Sequence, residues 1–75
     1  MTNEQVKLIR LYSGQSQERF AEDVGLGAST IAKIEVGYAR VTDRVRARIL
    51  RKYDLTNPEF IAFCERMNKS EKVST

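Results

Sequence analysis

Apolar residues recur along this chain at helical spacing rather than in strict alternation. Thr2 followed three residues later by Gln5 is a capping-box pattern, and Gly14 can take the left-handed conformation that closes a helix. A first helix is therefore predicted to about Ser13. It carries Val6, Ile9 and Arg10 on one face and Leu8, Leu11 and Tyr12 toward the other. Ser16 can cap a second helix, and Glu18 suits its positive end. That helix ends at Val24, where Gly25 supplies the positive φ of a sharp turn. Leu26 points back inside. Gly27 or Ala28 starts a third helix, which runs to about Val36 and stops at Gly37.

Residues 38–41 read as a loop, and Thr42 or Asp43 caps a fourth helix to about Tyr53. Val45, Ile49, Leu50 and Tyr53 are predicted on its apolar face, with Arg44, Arg48, Arg51 and Lys52 opposite and Arg46 beside the apolar arc. Asn57-Pro58-Glu59 is a strong start for a fifth helix: a cap, a proline and an acid. Phe60, Phe63, Cys64 and Met67 share one face of it. The expectation is an all-α fold, a compact five-helix bundle. It forms one domain over residues 1–68, with a polar tail at residues 69–75.

The second and third helices carry the most information. Phe20, Ala21, Val24, Leu26, Ile31 and Ile34 are spaced to pack the pair together, and leave Gln17, Ala28, Ser29, Thr30 and Lys33 outside. Ala21 stands where the helices cross closely, and a larger side chain there would push them apart. A generic helical hairpin would need the apolar period, but not the small residue and the glycine at these offsets. This is the layout of a helix-turn-helix, whose second helix enters the DNA major groove.

Charge supports that direction. The whole chain carries +3, yet residues 40–52 hold six basic residues against the single acid Asp43. A basic stripe beside a recognition helix is an electrostatic footprint for phosphate. Other chemistry finds little footing. There is one cysteine and no histidine, so neither an internal disulfide nor a Cys/His zinc site can form. No nucleophile–base pair, metal cluster or glycine-rich phosphate loop stands out, so no enzyme activity and no cofactor are expected. The chain shows no membrane-length apolar run and no signal-peptide pattern, and it reads as cytoplasmic.

Ser16-Gln17-Glu18, Ala21, Gly25, Ile31, Ile34-Glu35 and Gly37 resemble the Cro/CI-type repressor family, also called the xenobiotic-response-element helix-turn-helix family. The resemblance extends back to Ile9-Arg10 and, more weakly, forward to Leu55. It implies a lambda-repressor-like five-helix domain. It implies that Gln17 meets a phosphate, and that Ala28, Ser29 and Lys33, with Thr30 beside them, read bases. Lys33 can donate to guanine, Ser29 can donate or accept, and the Ala28 methyl can touch a thymine methyl. Surface lysine and helix-cap serine are the plainer readings of Lys33 and Ser29. Arg10 and Glu35 would form an ion pair from the first helix to the end of the third. Arg40 and Arg44, with Arg48 as an extension, would meet phosphates. Tyr38 can reach the backbone through its hydroxyl, or pack within its loop. Gln15, Val36 and Asp54 depart from the family pattern.

The functional expectation is a sequence-specific regulator bound to double-stranded operator DNA, repressing by promoter occlusion. The rival is an interaction module, such as an antitoxin or accessory regulator, with DNA binding weak or lost and a regulatory protein as partner. Leu8, Leu11 and Tyr12 are expected to pack on helix five, which is also a candidate homodimer surface. Cys64 reads as a core or interface residue.

Overall fold

The computed structural model describes the backbone of residues 1–74 and the side chains of residues 1–68. It contains five helices in chain order: α1 (Asn3–Ser13), α2 (Gln17–Val24), α3 (Ala28–Glu35), α4 (Asp43–Lys52) and α5 (Pro58–Ser74). Local chemistry sets the ends. The Thr2 hydroxyl accepts from the Gln5 N–H while the Gln5 side chain accepts from the Thr2 N–H, completing the capping box. Ser16 and Thr42 cap α2 and α4 in the same manner, each accepting from an amide three residues on. The Asn57 carboxamide accepts from the Glu59 N–H at the start of α5.

The core is apolar throughout. Val6 and Ile9 of α1 meet Phe20, Ala21 and Val24 of α2, Ile31 and Ile34 of α3, Val45 and Ile49 of α4, and Phe60 of α5. Phe20 is fully buried, and truncating such a phenylalanine costs about 3–5 kcal/mol. α2 packs on α3 and α4, and α1 on α3 and α5, so α3 is held from both sides with one face left free. Tyr12 meets Phe60 and Phe63 edge-on, each at 5.4 Å between ring centroids, which fastens α1 to α5.

One sequence expectation changes. Leu50 was placed on the apolar face of α4 but is 39% exposed. The arc that α4 buries is narrow, centred on Val45 and Ile49, and Leu50 lies about 100° beyond Ile49. Helix α5 continues past Asn68 into the segment expected to be a polar tail. The side chains from residue 69 onward, and Thr75 altogether, lie outside the described residues.

Candidate nucleic-acid interface

The turn between α2 and α3 is built from backbone geometry. Gly25 has φ 73°, and beyond it the Leu26 N–H donates back to the Ala21 carbonyl at 2.8 Å. Ala21 is buried where α3 crosses, and Ile31 and Ile34 are fully buried on the inner face of α3. What α3 offers outward is narrower than its sequence suggests. Ser29 and Lys33, one turn apart, are exposed. Ala28 is half-buried against the core, and Thr30 is half-buried toward the start of α4. Only two of the four residues expected to read bases therefore stand free. Gly27 brings no side-chain cap to α3, so the Ser29 hydroxyl does not serve as its N-cap and the first amides remain available to an anion.

The basic residues surround that end of α3. The chain turns at Gly37 and comes back so that Arg40, Thr42 and Arg44 line one cleft with Leu26, Gly27 and Thr30. Arg40 and Arg44 are exposed there. Arg48, one turn further along α4, is half-buried and lies over the α2–α3 turn, lining a second cleft with Glu22, Asp23 and Gly25. Tyr38 is 87% exposed, so packing within its loop is not its role. Val36 is 66% exposed at the end of α3.

Behind this surface, Arg10 and Glu35 form a bidentate pair. Arg10 Nε donates to Glu35 Oε2 at 2.6 Å and Nη2 donates to Oε1 at 2.9 Å. Side-chain exposure is 14% for Arg10 and 4% for Glu35. Arg10 Nη1 also donates to the Gln15 carbonyl, and Gln17 Nε2 donates to Glu35 Oε1 at 3.2 Å. Gln17, expected at a phosphate, is half-buried with its carboxamide on the ion pair, leaving its second N–H for another acceptor. Burial pushes the Glu35 carboxyl up, but hydrogen bonds from Arg10 and Gln17 and the charges of Arg10 and Lys7 hold it below its ordinary value. The hydrogen bond to Glu35 raises Arg10 against the effect of burial.

A family model described as "Helix-turn-helix domain" matches residues 4–62. The chain belongs to the helix-turn-helix domain family. No curated protein and no solved structure matches it. The matched segment of this helix-turn-helix domain spans α1 to the first turns of α5, so it includes the whole surface just described. A helix-turn-helix domain is a DNA-binding unit. Among the described residues no group of His, Cys, Asp and Glu is placed to hold a metal ion. Among the described residues no helix is long and apolar enough to cross a membrane. Cys64 is half-buried, and burial followed by the Glu4 charge pushes its thiol up, away from nucleophilic character.

Two polar constellations of the helix-turn-helix domain lay beyond sequence reasoning. Asn3 Nδ2 donates to the Ile34 carbonyl at 2.8 Å and to the Ala39 carbonyl at 2.6 Å. The Tyr53 hydroxyl lies 2.7 Å from Asp23 Oδ2 and 3.0 Å from Gln15 Oε1. With one proton to give, it donates to the carboxylate. Burial, then the hydrogen bond and charge of Asp23, push the phenol from 10.0 up to about 12. Asn3 gave no sign beyond its place in the first turn of α1. Gln15 was visible only as a polar residue where the family pattern is apolar, and its Oε1 accepts from the Ser13 hydroxyl at 3.2 Å.

Proposed function

We propose that this chain is a sequence-specific double-stranded-DNA-binding transcriptional regulator of Cro/CI type, repressing by occupying promoter DNA. The observation that carries the reading is the joint exposure of Ser29 and Lys33 on α3, with Arg40 and Arg44 beside the same helix end. In the major groove, Lys33 donates to guanine O6 or N7 and Ser29 serves either role. Ala28 and Thr30, less exposed, meet bases only at the rim, Ala28 through its methyl. Arg40 and Arg44 meet phosphates, with Arg48, Gln17 and the Tyr38 hydroxyl extending the backbone contact. Bound in the cytoplasm to nucleoid DNA, such a domain blocks polymerase by occupying space. A homodimer through α5, where Ile61 is 45% exposed, would place two recognition helices on half-sites about one helical turn apart.

Selection of bound sequences from a random DNA pool tests this. A two-fold symmetric consensus is expected, and a pool that emerges without enrichment would refute sequence-specific reading. On the selected duplex, Lys33→Ala should change preference at one base step, whereas Arg44→Ala should weaken all sequences alike. Equal losses on every sequence for both variants would overturn this division of roles.

One feature favours the rival, an interaction module that grips a regulatory protein. Leu8, Leu11, Val36, Gly37 and Met67 line a groove between α1, the end of α3 and α5, rimmed by Glu4, Lys7 and Glu35. A chain that ignores duplex DNA even at low salt would favour this module.

A further inference from the structure

Asn3 is the only described side chain whose carboxamide joins the recognition helix to the loop that follows it. Its two partners, the carbonyls of Ile34 and Ala39, belong to different segments. Ile34 lies in the last turn of α3, where carbonyls lose their helical donors. Ala39 lies in the loop immediately before Arg40. Both partners are acceptors, so chemistry fixes the orientation of the amide: its nitrogen, with two hydrogens, faces them. The loop is otherwise held to α3 through the Lys33 carbonyl, which accepts from the N–H groups of Tyr38 and Ala39 at 2.8 and 3.2 Å. The Ile34 carbonyl also takes the Gly37 N–H at 3.1 Å. Asn3 thus closes a bracket between two ends that α3 alone secures only through backbone turns.

We infer that Asn3 is a positioning residue for DNA: by tying Ala39 to the end of α3 it presets Arg40 beside the recognition helix for phosphate contact. The inference rests on the DNA-binding reading above. A loop free of this tie would have to be ordered at the moment of binding, and that ordering weakens affinity without removing any contact. Arg40 is the side chain through which the tie acts, because it is the residue next to the anchored carbonyl and shares the cleft at the start of α3 with Arg44.

The test is a double-mutant cycle on a mixed-sequence duplex of about two helical turns, at low salt, where phosphate contacts dominate binding. Asn3→Ala should lower affinity about fivefold with Arg40 in place and less than about twofold in an Arg40→Ala background. A merely structural loss would act equally in both backgrounds, so equal losses would overturn the inference. Amide exchange supplies a readout that needs no DNA. In folded Asn3→Ala the N–H groups of Tyr38 and Ala39 should exchange faster, while those in the middle of α2 keep their protection. Unchanged exchange at Tyr38 and Ala39 would show that the tie holds nothing. If the unaltered chain ignores the duplex while Asn3→Ala still speeds exchange, the DNA reading fails, and the role assigned through Arg40 falls with it.

Discussion

At the scale of single residues, the strongest commitments are polar and long-range. Glu35 is nearly buried and holds its charge because Arg10 and Gln17 face it. Removing the carboxylate leaves a guanidinium with its fork empty, which costs more than the intact pair contributes. Glu35→Gln should lower stability at neutral pH by about 2 kcal/mol, or roughly 10 °C in Tm. The pH dependence follows from the sign of the shift. The carboxyl is lower in the folded chain than its ordinary value of 4.5, so the contribution is present above that pH and is lost as pH falls through the folded value. The gap between the two melting curves should therefore close in acid, and equal Tm values at neutral pH would contradict the role. Tyr53 behaves in the opposite sense. Its phenol is raised from 10.0 to about 12, so the stability it contributes is intact below about pH 10 and lost as pH rises through about 12. Tyr53→Phe should cost about 1 kcal/mol at neutral pH, with the difference from the unaltered chain shrinking above about pH 10. Denaturant midpoints across that range check it, and a constant difference would mean that the hydroxyl proton is not held by Asp23.

At the scale of helices, much of the fold was legible because each boundary has a local cause. Thr2 with Gln5, Ser16, Gly25 and Thr42 set helix ends from within their own neighbourhoods, and the structure uses each of them so. Which face of a helix is covered depends on how many neighbours it has. Leu50 was misplaced for that reason: nothing in the sequence says that α4 buries only the narrow arc of Val45 and Ile49. Ala28 and Thr30 looked free for the same reason, since the nearness of the core and of α4 is a tertiary fact. Asn3 and Tyr53 were illegible more completely, because their partners stand 30 to 38 residues away along the chain. The turn itself offers a prediction. Gly25 and Gly14 have nearly the same φ, 73° and 72°, but their surroundings differ. A Cβ on Gly14 meets nothing within 4 Å, whereas one on Gly25 falls 2.8 Å from Arg48 Nη1. Gly14→Ala should therefore measure left-handed backbone strain alone, about 1 kcal/mol, and Gly25→Ala should cost more by the displacement of Arg48. Adding Arg48→Ala should bring the Gly25→Ala cost down to that of Gly14→Ala. Equal costs for the two single glycine variants would show that the Arg48 guanidinium, the far end of a flexible side chain, moves aside freely.

At the scale of the whole molecule, the charges are sorted. Residues 40–52 hold six of the thirteen basic side chains against one of the ten acids, leaving the remainder of the chain net acidic. On the proposed reading, this basic segment steers α4 and the preceding loop toward the polyanion before contact. Short contacts then add counterion release, and this is a number that can be read from a salt series. If Arg40, Arg44 and Arg48 each neutralise one phosphate, log K for a mixed-sequence duplex should fall with log[salt] at a slope of about −2.7, roughly a 40-fold loss between 50 and 200 mM. Arg44→Ala should reduce that to a slope of about −1.8 and roughly a 12-fold loss. Arg48 is the discriminating case, because its guanidinium lies against the turn at Gly25 rather than out beside Arg40 and Arg44. If it swings to a phosphate on binding, Arg48→Ala lowers the slope as Arg44→Ala does. If it stays on the turn, Arg48→Ala leaves the slope at that of the unaltered chain, whose own value is then about −1.8. Either result counts the phosphates, and a slope near zero for the unaltered chain would mean that the basic segment does not face DNA at all.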